Sequence, residues 1–242
     1  MPNHTFSIIV PVKDESLEVL KNLLLDTYTT FNGAVDLTIV DDGSKVPCPM
    51  ASFRHHVSLG YGKAIKTGIQ NVKTDWIVTM DGDGQHRLRD VQRLVELVQD
   101  FPELDMVVGD RRLHEIHFHR YLGRKGLNWL ASIASHRWIP DLNSGLRIFR
   151  RSLAMSYMPV LCDTFSFTTS LTVAMLADRY KVDWLPIRVL SRASGDSHVR
   201  VFRHGLTTLK YILWIGLALN TRGIRQLLRP VTRILLGRWN DK

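Results

Sequence analysis

Short apolar segments rich in β-branched residues alternate along this chain with longer segments in which apolar residues recur at helical spacing. The short segments are residues 6–12, 35–40, 76–80 and 106–108. Their length and composition favour buried strands over helices. The longer segments are residues 17–27, 61–71 and 89–100. This alternation predicts an α/β fold in which a mostly parallel sheet is flanked by helices.

The second half of the chain is less regular. Residues 126–136 and 165–177 have apolar positions at helical spacing, which predicts two further helices. Residues 141–150, DLNSGLRIFR, combine turn-forming residues with a strand that carries a basic residue, and residues 182–189 predict another strand. Segment 112–125 is rich in basic residues and histidines but has poor periodicity. It is either a solvated loop or a basic loop over a phosphate site, and its histidine spacing predicts no metal.

The clearest chemistry lies in residues 81–86, DGDGQH, directly after the predicted strand 76–80. Asp81 and Asp83 are separated by one glycine, and their like charges repel unless a cation lies between them. Oxygen ligands of this kind suit Mg²⁺ or Mn²⁺, which usually share their coordination shell with substrate phosphates. The alternative is an ordinary Asp-Gly turn between strands.

The four predicted strands of the first half all end in charged or glycine-rich residues. In parallel sheets, ligands bind beyond the carboxyl ends of the strands. We therefore expect one crevice to collect Glu15, Asp42, Asp81, Asp83 and Arg111. Each acidic group alone is also compatible with a solvated loop or a helix N-cap, so the shared placement carries the prediction.

The last segment of the chain differs in charge from the rest. Residues 199–242 contain nine basic residues and one acidic residue, Asp241, which accounts for eight of the nine net positive charges of the protein. Arginines separate apolar clusters here, and this pattern predicts basic amphipathic helices, divided at Pro230, at an anionic membrane surface. The alternatives are a helix packed on the core and a nucleic-acid contact; the membrane is favoured because Trp and Tyr accompany the arginines.

The remaining composition favours a protein of the cytoplasmic side. Cys48 and Cys162 are too few and too far apart for a disulfide framework or a zinc motif, which fits a reducing compartment. The amino terminus lacks the features of a secretory signal, and no apolar run reaches the length of a spanning helix. We therefore expect a cytoplasmic protein that is peripheral at the membrane face.

Seven motifs in order resemble those of the family 2 glycosyltransferases with the GT-A fold, and within them the polyprenyl-phosphate sugar synthases of the dolichyl-phosphate mannose synthase type. The motifs, between Phe6 and His198, are IIVPVKDE, IVDDGS, GYGKAIKTGI, MDGDGQH, VVGDRR, DLNSGLRIFRR and RASGDSH. The resemblance implies a GT-A domain over residues 1–198, with a nucleotide-sugar-binding half (1–110) and an acceptor half (111–198). Residues 199–242 form the predicted membrane-associating tail.

The resemblance also implies roles for individual residues. Those expected to bind the nucleotide sugar are Pro11, Val12, Glu15, Asp42, Lys63, Asp81, Gly82, Asp83, Arg192 and Ser197. Those expected to hold the metal, Mg²⁺ or Mn²⁺, are Asp81, Asp83 and Gln85. Those expected to take part in catalysis are Asp83, Arg111, Arg147 and Arg192, of which Arg147 lies in the acceptor-side motif and the other arginines near the phosphates.

Two departures from the family pattern affect the predicted acceptor and donor. Lys13 and Asp14 stand where the family usually has an aromatic residue and Asn, which leaves the nucleotide open. Residues 165–170, FSFTTS, lack the acidic pair that many members use as a catalytic base. A sugar hydroxyl needs such a base, whereas a lipid phosphate is already ionised at neutral pH.

The sequence therefore predicts an inverting glycosyltransferase that moves a hexose from GDP- or UDP-hexose to a polyprenyl phosphate. Its further predicted partners are a membrane surface and either a membrane-embedded protein or a second copy, but no nucleic acid. A first alternative is a saccharide or protein hydroxyl acceptor, for which Asp163 and Asp178 are the nearest candidate bases. A nucleotidyltransferase and a non-enzymatic binding module are the others.

Overall fold

The computed structural model of this protein describes residues 5–111, 126–133, 137–190, 209–210 and 213. Seven strands of this part form one sheet in the order β3-β2-β1-β4-β6-β5-β7. The strands are β1 (Phe6–Val12), β2 (Asp36–Asp41), β3 (Phe53–Arg54), β4 (Trp76–Thr79), β5 (Met106–Asp110), β6 (Arg147–Arg150) and β7 (Val182–Pro186). The helices are α1 (Leu17–Thr30), α2 (Tyr61–Asn71), α3 (Leu88–Asp100), α4 (residues 126–133), α5 (Arg151–Tyr157) and α6 (Phe167–Ala177).

The sheet is mostly parallel, as predicted, but it contains one reversed strand. Strands β1, β2, β3 and β4 run parallel, and β5 runs parallel to β7. Strand β6 lies between β4 and β5 and is antiparallel to both. The predicted mostly parallel sheet is therefore confirmed, although the alternation of strands and helices did not indicate which strand is reversed. Strand β6 therefore begins beside the carboxyl ends of β4 and β5 and runs in the opposite direction to them.

The reversed direction of β6 brings the loop that precedes it to the carboxyl ends of the parallel strands. The segment before β6, residues 141–146, lies at the carboxyl ends of β4 and β5. We refer to it as the acceptor-side loop. It therefore faces residues 81–86, which follow β4 and which we refer to as the acidic loop.

Two apolar cores cover the two faces of the sheet. One contains the inward residues of α2, α5 and α6, such as Ile65 and Leu171, together with Ala131 of α4. The other contains the inward residues of α1 and α3, such as Leu20 and Leu94. Every residue of α6 is buried, so this helix lies inside the protein with no solvent-facing stripe.

Most predicted elements are confirmed within one to three residues at each end. The strand predicted for 182–189 ends at Pro186, where its partner β5 also ends at Asp110. The two-residue strand β3 and the helix α5 were not predicted. Among the described residues, no helix is long and apolar enough to cross a membrane. The basic segment 112–125, Arg192, Ser197 and most of the predicted tail lie outside the described residues.

Candidate functional site

The carboxyl ends of β1, β2 and β4 meet, as the sequence predicted. The backbone N–H of Asp42 donates to the carbonyl of Val12 at 2.8 Å. Gly82 packs on Val12 so closely that a Cβ built on it would lie 2.8 Å from Val12 Cγ1. Pro11 is buried beside Val40 in the β1–β2 register. These contacts place the start of the acidic loop directly against the β1 end.

The carboxylate of Asp42 is buried and organises the glycine-rich loop that precedes α2. It accepts hydrogen bonds from Ser58 Oγ at 2.8 Å and from the backbone N–H groups of Leu59 and Gly60 at 2.8 and 2.9 Å. His55 Nδ1 lies 2.7 Å from the same carboxylate. Asp42 therefore shapes this loop, residues 58–60, and its contact with a nucleotide stays a prediction.

Backbone-to-side-chain hydrogen bonds connect the loop after β1 to the loop after β2. The backbone N–H of Asp14 donates to Ser44 Oγ at 2.9 Å, and the N–H of Lys45 donates to Asp14 Oδ1 at 2.8 Å. Glu15 follows Asp14 and is half-buried at the same edge, whereas the Lys63 side chain is exposed on the first turn of α2. Their predicted roles in nucleotide-sugar binding are compatible with these positions.

Asp81 is held by two side chains that the sequence analysis did not assign. Tyr61 donates a hydrogen bond from its hydroxyl to Asp81 Oδ1 at 2.8 Å, and His86 Nε2 lies 3.4 Å from Oδ2. Gly60 has a φ of 113°, which only glycine adopts readily, and the resulting turn places Tyr61 as the first residue of α2. About a third of the Asp81 side chain, 34%, stays exposed, so the carboxylate is fixed but accessible.

The electrostatic surroundings keep Asp81 ionised. Burial acts to raise the pKa of this carboxyl, but the hydrogen bond and charge of His86, the bond from Tyr61 and the charge of Arg111 lower it below its ordinary value. Conversely, burial and the Asp81 carboxylate raise the pKa of the Tyr61 hydroxyl well above its ordinary value. Tyr61 is therefore a hydrogen-bond donor at neutral pH, and Asp81 is an acceptor.

The acceptor-side loop contacts Asp81 directly through Gly145. A Cβ built on Gly145 would lie 2.5 Å from Asp81 Oδ2 and 2.6 Å from Oδ1, so no larger side chain fits without displacing the carboxylate. Thr79 Oγ1 donates to the Gly145 carbonyl at 2.7 Å and fixes the approach. The acidic loop and the acceptor-side loop are thus in close contact at one glycine.

Asp83 and Gln85 complete the acidic loop. The Asp83 side chain is buried, and its Oδ1 accepts a hydrogen bond from the Gln85 backbone N–H at 3.1 Å. Gln85 is bonded to Leu190 twice. Its side-chain Nε2 donates to the Leu190 backbone carbonyl at 3.0 Å, and its backbone carbonyl accepts from the Leu190 N–H at 2.9 Å. Residue 190 therefore lies at the acidic loop, two positions before Arg192 in the chain.

The donor set of this loop fits a divalent cation of the Mg²⁺ or Mn²⁺ type. Asp81 and Asp83 supply carboxylate oxygens, and the Gln85 amide oxygen is not the atom used in its contact with Leu190. No group of three or more His, Cys, Asp and Glu side chains is arranged for a metal within the described ranges. A small set of hard oxygen ligands is what a cation needs when it shares its shell with substrate phosphates. The assignment of Asp81, Asp83 and Gln85 to the metal stays a prediction.

Arg111 is fixed at the site by a buried partner. Its guanidinium forms two parallel bonds to Asp141, Nε to Oδ2 at 2.8 Å and Nη2 to Oδ1 at 3.0 Å. Burial would lower the pKa of Arg111, but Asp141 and Asp81 raise it, so the group carries a full positive charge. The Asp141 carbonyl in turn accepts from Trp184 Nε1 at 2.9 Å, which anchors the loop to β7.

Arg147 lies behind the acceptor-side loop and is fully buried. Its guanidinium donates to the carbonyl of Thr168 at 2.8 Å, to Thr172 Oγ1 at 3.0 Å and to the Ser144 carbonyl. Burial, together with the like charge of Arg111, lowers the pKa of Arg147 to about 10, which still leaves it charged at pH 7. In this structure Arg147 joins the acceptor-side loop to α6. A contact between Arg147 and a substrate stays a prediction.

Four residues of the site had no role predicted from the sequence, although they lie within its motifs: Tyr61, His86, Asp141 and Gly145. Their importance depends on contacts between loops that are far apart in the chain. The only signal in the sequence was their position inside motifs already singled out: GYGKAIKTGI, MDGDGQH and DLNSGLRIFRR.

Comparison with known proteins agrees with this architecture. The sequence profile described as Glycosyl transferase family 2 matches residues 7–158, more than half of the chain. The chain belongs to glycosyl transferase family 2. It is therefore a glycosyltransferase, and the predicted family is confirmed.

Curated relatives are similar to this protein over most of the chain. An uncharacterized protein of Methanocaldococcus jannaschii is 28% identical over 76% of this chain and 80% of its own length. The undecaprenyl-phosphate 4-deoxy-4-formamido-L-arabinose transferase of Sodalis glossinidius is 28% identical over 72% of this chain and 60% of its own length. The Klebsiella pneumoniae enzyme of the same name is 27% identical over 88% and 67%. The chain thus spans about three fifths to two thirds of the transferases that it matches.

Solved structures of this glycosyltransferase fold are also similar. Glucosyl-3-phosphoglycerate synthase from Mycobacterium tuberculosis, in complex with phosphoglyceric acid, superposes with a TM-score of 0.68 at 16% identity, covering 88% of this chain and 80% of that one. The same enzyme with Mn²⁺, UDP and phosphoglyceric acid superposes with a TM-score of 0.68 at 15% identity, covering 88% and 79%. At this level of identity the likeness establishes the GT-A fold alone.

Proposed function

We propose that this glycosyltransferase moves a hexose from a nucleotide sugar, GDP- or UDP-hexose, to a polyprenyl phosphate at the cytoplasmic face of a membrane. Three carboxylates on the acceptor side carry the proposal, because each is already bonded to a protein group. Asp141 binds Arg111, Asp163 lies 2.6 Å from Lys66 Nζ, and Asp178 accepts from a tyrosine hydroxyl at 2.6 Å.

These pairings bear on the choice of acceptor. A general base must reach the proton that it removes and must not be committed to a cation. Of the two candidates for a hydroxyl acceptor, Asp163 does not meet this condition because it pairs with Lys66, and the Asp178 carboxylate already accepts a hydrogen bond from the Tyr157 hydroxyl. Lys66 is buried, so its ion pair with Asp163 is costly to break. A phosphate monoester is already ionised and needs no base, and the transferases named among the relatives carry undecaprenyl phosphate in their names.

The chain's own residues would prepare the donor as follows. The β1 and β2 ends, with Glu15 and Asp42, border the space for the nucleoside, and Asp81, Asp83 and Gln85 would hold the cation beside the diphosphate. A bound Mg²⁺ or Mn²⁺ supplies neutralising charge to the leaving diphosphate. Mn²⁺ and UDP are named together in the Mycobacterium tuberculosis structures, which supports a cation of this class.

The transfer itself is a single displacement. An oxygen of the lipid phosphate attacks the anomeric carbon, the bond from that carbon to the diphosphate oxygen breaks, and the nucleoside diphosphate leaves with the electron pair. Because attack is in line with the leaving group, the configuration at the anomeric carbon inverts. Arg111, fixed by Asp141, is positioned to offset negative charge of the phosphates, and Arg192 is proposed to add to it from the segment that follows Leu190.

The decisive experiment measures label transferred into lipid. Purified protein is incubated with Mg²⁺ or Mn²⁺, a short-chain polyprenyl phosphate and a panel of radiolabelled GDP- and UDP-sugars, and organic-phase label is counted. We expect cation-dependent label for one donor. A parallel incubation replaces the lipid phosphate with a sugar or peptide acceptor. Transfer of label to that acceptor, with none to the lipid, would instead support a hydroxyl acceptor. Reactions without cation and without lipid phosphate serve as controls.

A further inference from the structure

Helix α4 packs Leu127 and Ala131 on the core but also turns two polar residues inward and large apolar residues outward. Its inward face carries Asn128, Ala131 and Ser132, which are buried or half-buried. Its outward face carries Trp129 and Ile133, which are 59% and 52% exposed, together with the exposed Leu130. A surface helix normally buries its apolar stripe and exposes its polar one.

The inward polar groups are satisfied by specific hydrogen bonds, so this orientation of the helix is built in. Asn128 Oδ1 accepts from the backbone N–H of Leu142 at 3.2 Å, and Asn128 Nδ2 donates to the Pro140 carbonyl. Ser132 Oγ accepts from the Ile139 N–H at 2.9 Å. Turning the apolar face inward would move Asn128 and Ser132 to the solvent and leave the backbone groups of Ile139, Pro140 and Leu142 without these partners, which is costly.

A second exposed tryptophan follows the helix. Trp138 is 71% exposed and follows α4 closely in the chain, next to the exposed Arg137. We call Trp129, Leu130, Ile133 and Trp138 the α4 patch. Large apolar side chains grouped on a surface mark an interaction site, whereas single ones do not.

The charge of this region indicates which kind of partner the patch contacts. From Arg112 to Pro140 the sequence carries five Arg and Lys residues but only one acidic residue, Glu115. Tryptophans beside basic residues are the combination found where proteins meet an anionic lipid surface. A lipid surface is also where the polyprenyl phosphate of the proposed function is held.

Hydrogen bonds made by Asn128 and Asp141 connect helix α4 to Arg111 at the candidate site. Asn128 binds on both sides of Asp141, through Pro140 and Leu142, and the Asp141 carboxylate fixes Arg111. The helix that carries the patch is therefore connected to the guanidinium of Arg111 through hydrogen bonds.

We infer that the α4 patch is a membrane-docking surface that seats the acceptor side of the protein on an anionic lipid surface, separately from the C-terminal basic segment. This inference rests on the proposed lipid acceptor. It assigns to α4 the task of bringing the acceptor phosphate, which cannot leave the lipid surface, to the edge of the sheet where Arg111 and Asp81 lie.

An environment-sensitive fluorophore on the patch tests the inference directly. Both native cysteines are buried, so Ile133→Cys can be labelled in the full chain, and Leu25→Cys is the matched control. Leu25 is a similarly exposed apolar residue on α1, whose core lies on the other face of the sheet from that of α4. The labelled proteins are mixed with vesicles of two parts phosphatidylcholine to one part phosphatidylglycerol.

We expect the fluorophore at position 133 to brighten and shift to the blue with these vesicles, and the one at position 25 to stay unchanged. Three results would overturn the inference. They are no vesicle binding by the protein, binding with no change at position 133, and a fluorophore at 133 that is shielded before lipid is added. The last would show that protein, either the C-terminal segment or a second copy, covers the patch, and dilution would distinguish these two.

A second variant separates docking from chemistry. Trp129→Ser with Ile133→Ser removes two exposed side chains, each worth on the order of tenfold in partitioning when buried. We expect transfer to vesicle-held acceptor to fall about tenfold more than transfer to a short-chain acceptor in detergent. An equal fall in both assays would contradict docking. Absence of lipid-linked product from the wild type in detergent would refute the proposed function instead, and leave the fluorescence result to decide docking.

Discussion

The hydroxyl of Tyr61 donates to Asp81 at 2.8 Å while the ring of Tyr61 stacks on Phe165, with 5.0 Å between ring centroids. One side chain thus joins Asp81, a predicted metal ligand, to the segment that precedes α6. Loss of the hydroxyl and loss of the ring therefore have separable consequences.

Tyr61→Phe should weaken cation binding while the fold is kept. The substitution removes the hydrogen bond that orients Asp81 but preserves the stack on Phe165. Removal of such a supporting bond typically costs about tenfold or more in metal affinity. Titration of Mn²⁺ in the presence of UDP or GDP, followed by electron paramagnetic resonance, measures this directly. Tyr28→Phe, at an exposed position on α1, is the control. Unchanged Mn²⁺ affinity in Tyr61→Phe would refute the proposed role.

Gly145→Ala should reduce sugar transfer by about a hundredfold, because the added Cβ displaces the Asp81 carboxylate and small displacements of catalytic groups have effects of this size. The variant should still unfold cooperatively. Gly126→Ala is the matched control, since a Cβ there meets no atom within 4 Å. The measurement is kcat/KM in the organic-phase assay beside a urea unfolding curve. Full activity in Gly145→Ala would show that Asp81 can move without consequence.

Asp83→Asn tests the metal assignment. The substitution keeps the size of the side chain but removes its charge, and we expect the cation-dependent transfer to fall by at least about a hundredfold. Asp183→Asn, at an exposed position on β7, is the control. The rate is measured over a range of Mg²⁺ and Mn²⁺ concentrations. An Asp83→Asn protein with normal rate and normal cation dependence would exclude Asp83 from the metal site.

Asp41 should make stability depend on acid pH. Its carboxylate accepts from the N–H groups of Ser44 and Cys48 and from Arg54 Nε. Burial acts to raise its pKa, but these bonds hold it below its ordinary value of 3.8. The ionised form therefore stabilises the fold above about pH 4, and this contribution is lost as the pH falls through the folded pKa.

The matching variant is Asp41→Asn. It should lower the free energy of unfolding by about 1–2 kcal/mol at pH 7, since it removes acceptors from buried donors. The difference from the wild type should narrow below about pH 4. Urea unfolding at several pH values measures both quantities, with Asp36→Asn at an exposed position of β2 as the control. A difference that is constant over this range would show that Asp41 is not the titrating group.

Much of the architecture could be predicted from periodicity because the relevant forces are local. The apolar run of β4 and the spaced leucines of α3 each define an element through their own side chains. The acidic groups after β1, β2 and β4 could be assigned to one edge because parallel strands share a direction. Strand β6 could not be placed this way, because nothing in its four residues specifies the direction in which it joins β4 and β5.

The sequence by itself determined the chemical character of this protein: two carboxylates after a buried strand, basic residues on the later motifs, and membership of one glycosyltransferase family. Only the tertiary structure decided which groups meet. Asp81 contacts Tyr61, His86 and Gly145 because three loops from different parts of the chain converge at one sheet edge. Helix α4 exposes its tryptophan because its asparagine is bonded inward. Such pairings depend on distances between residues far apart in sequence, and periodicity and composition do not encode those distances.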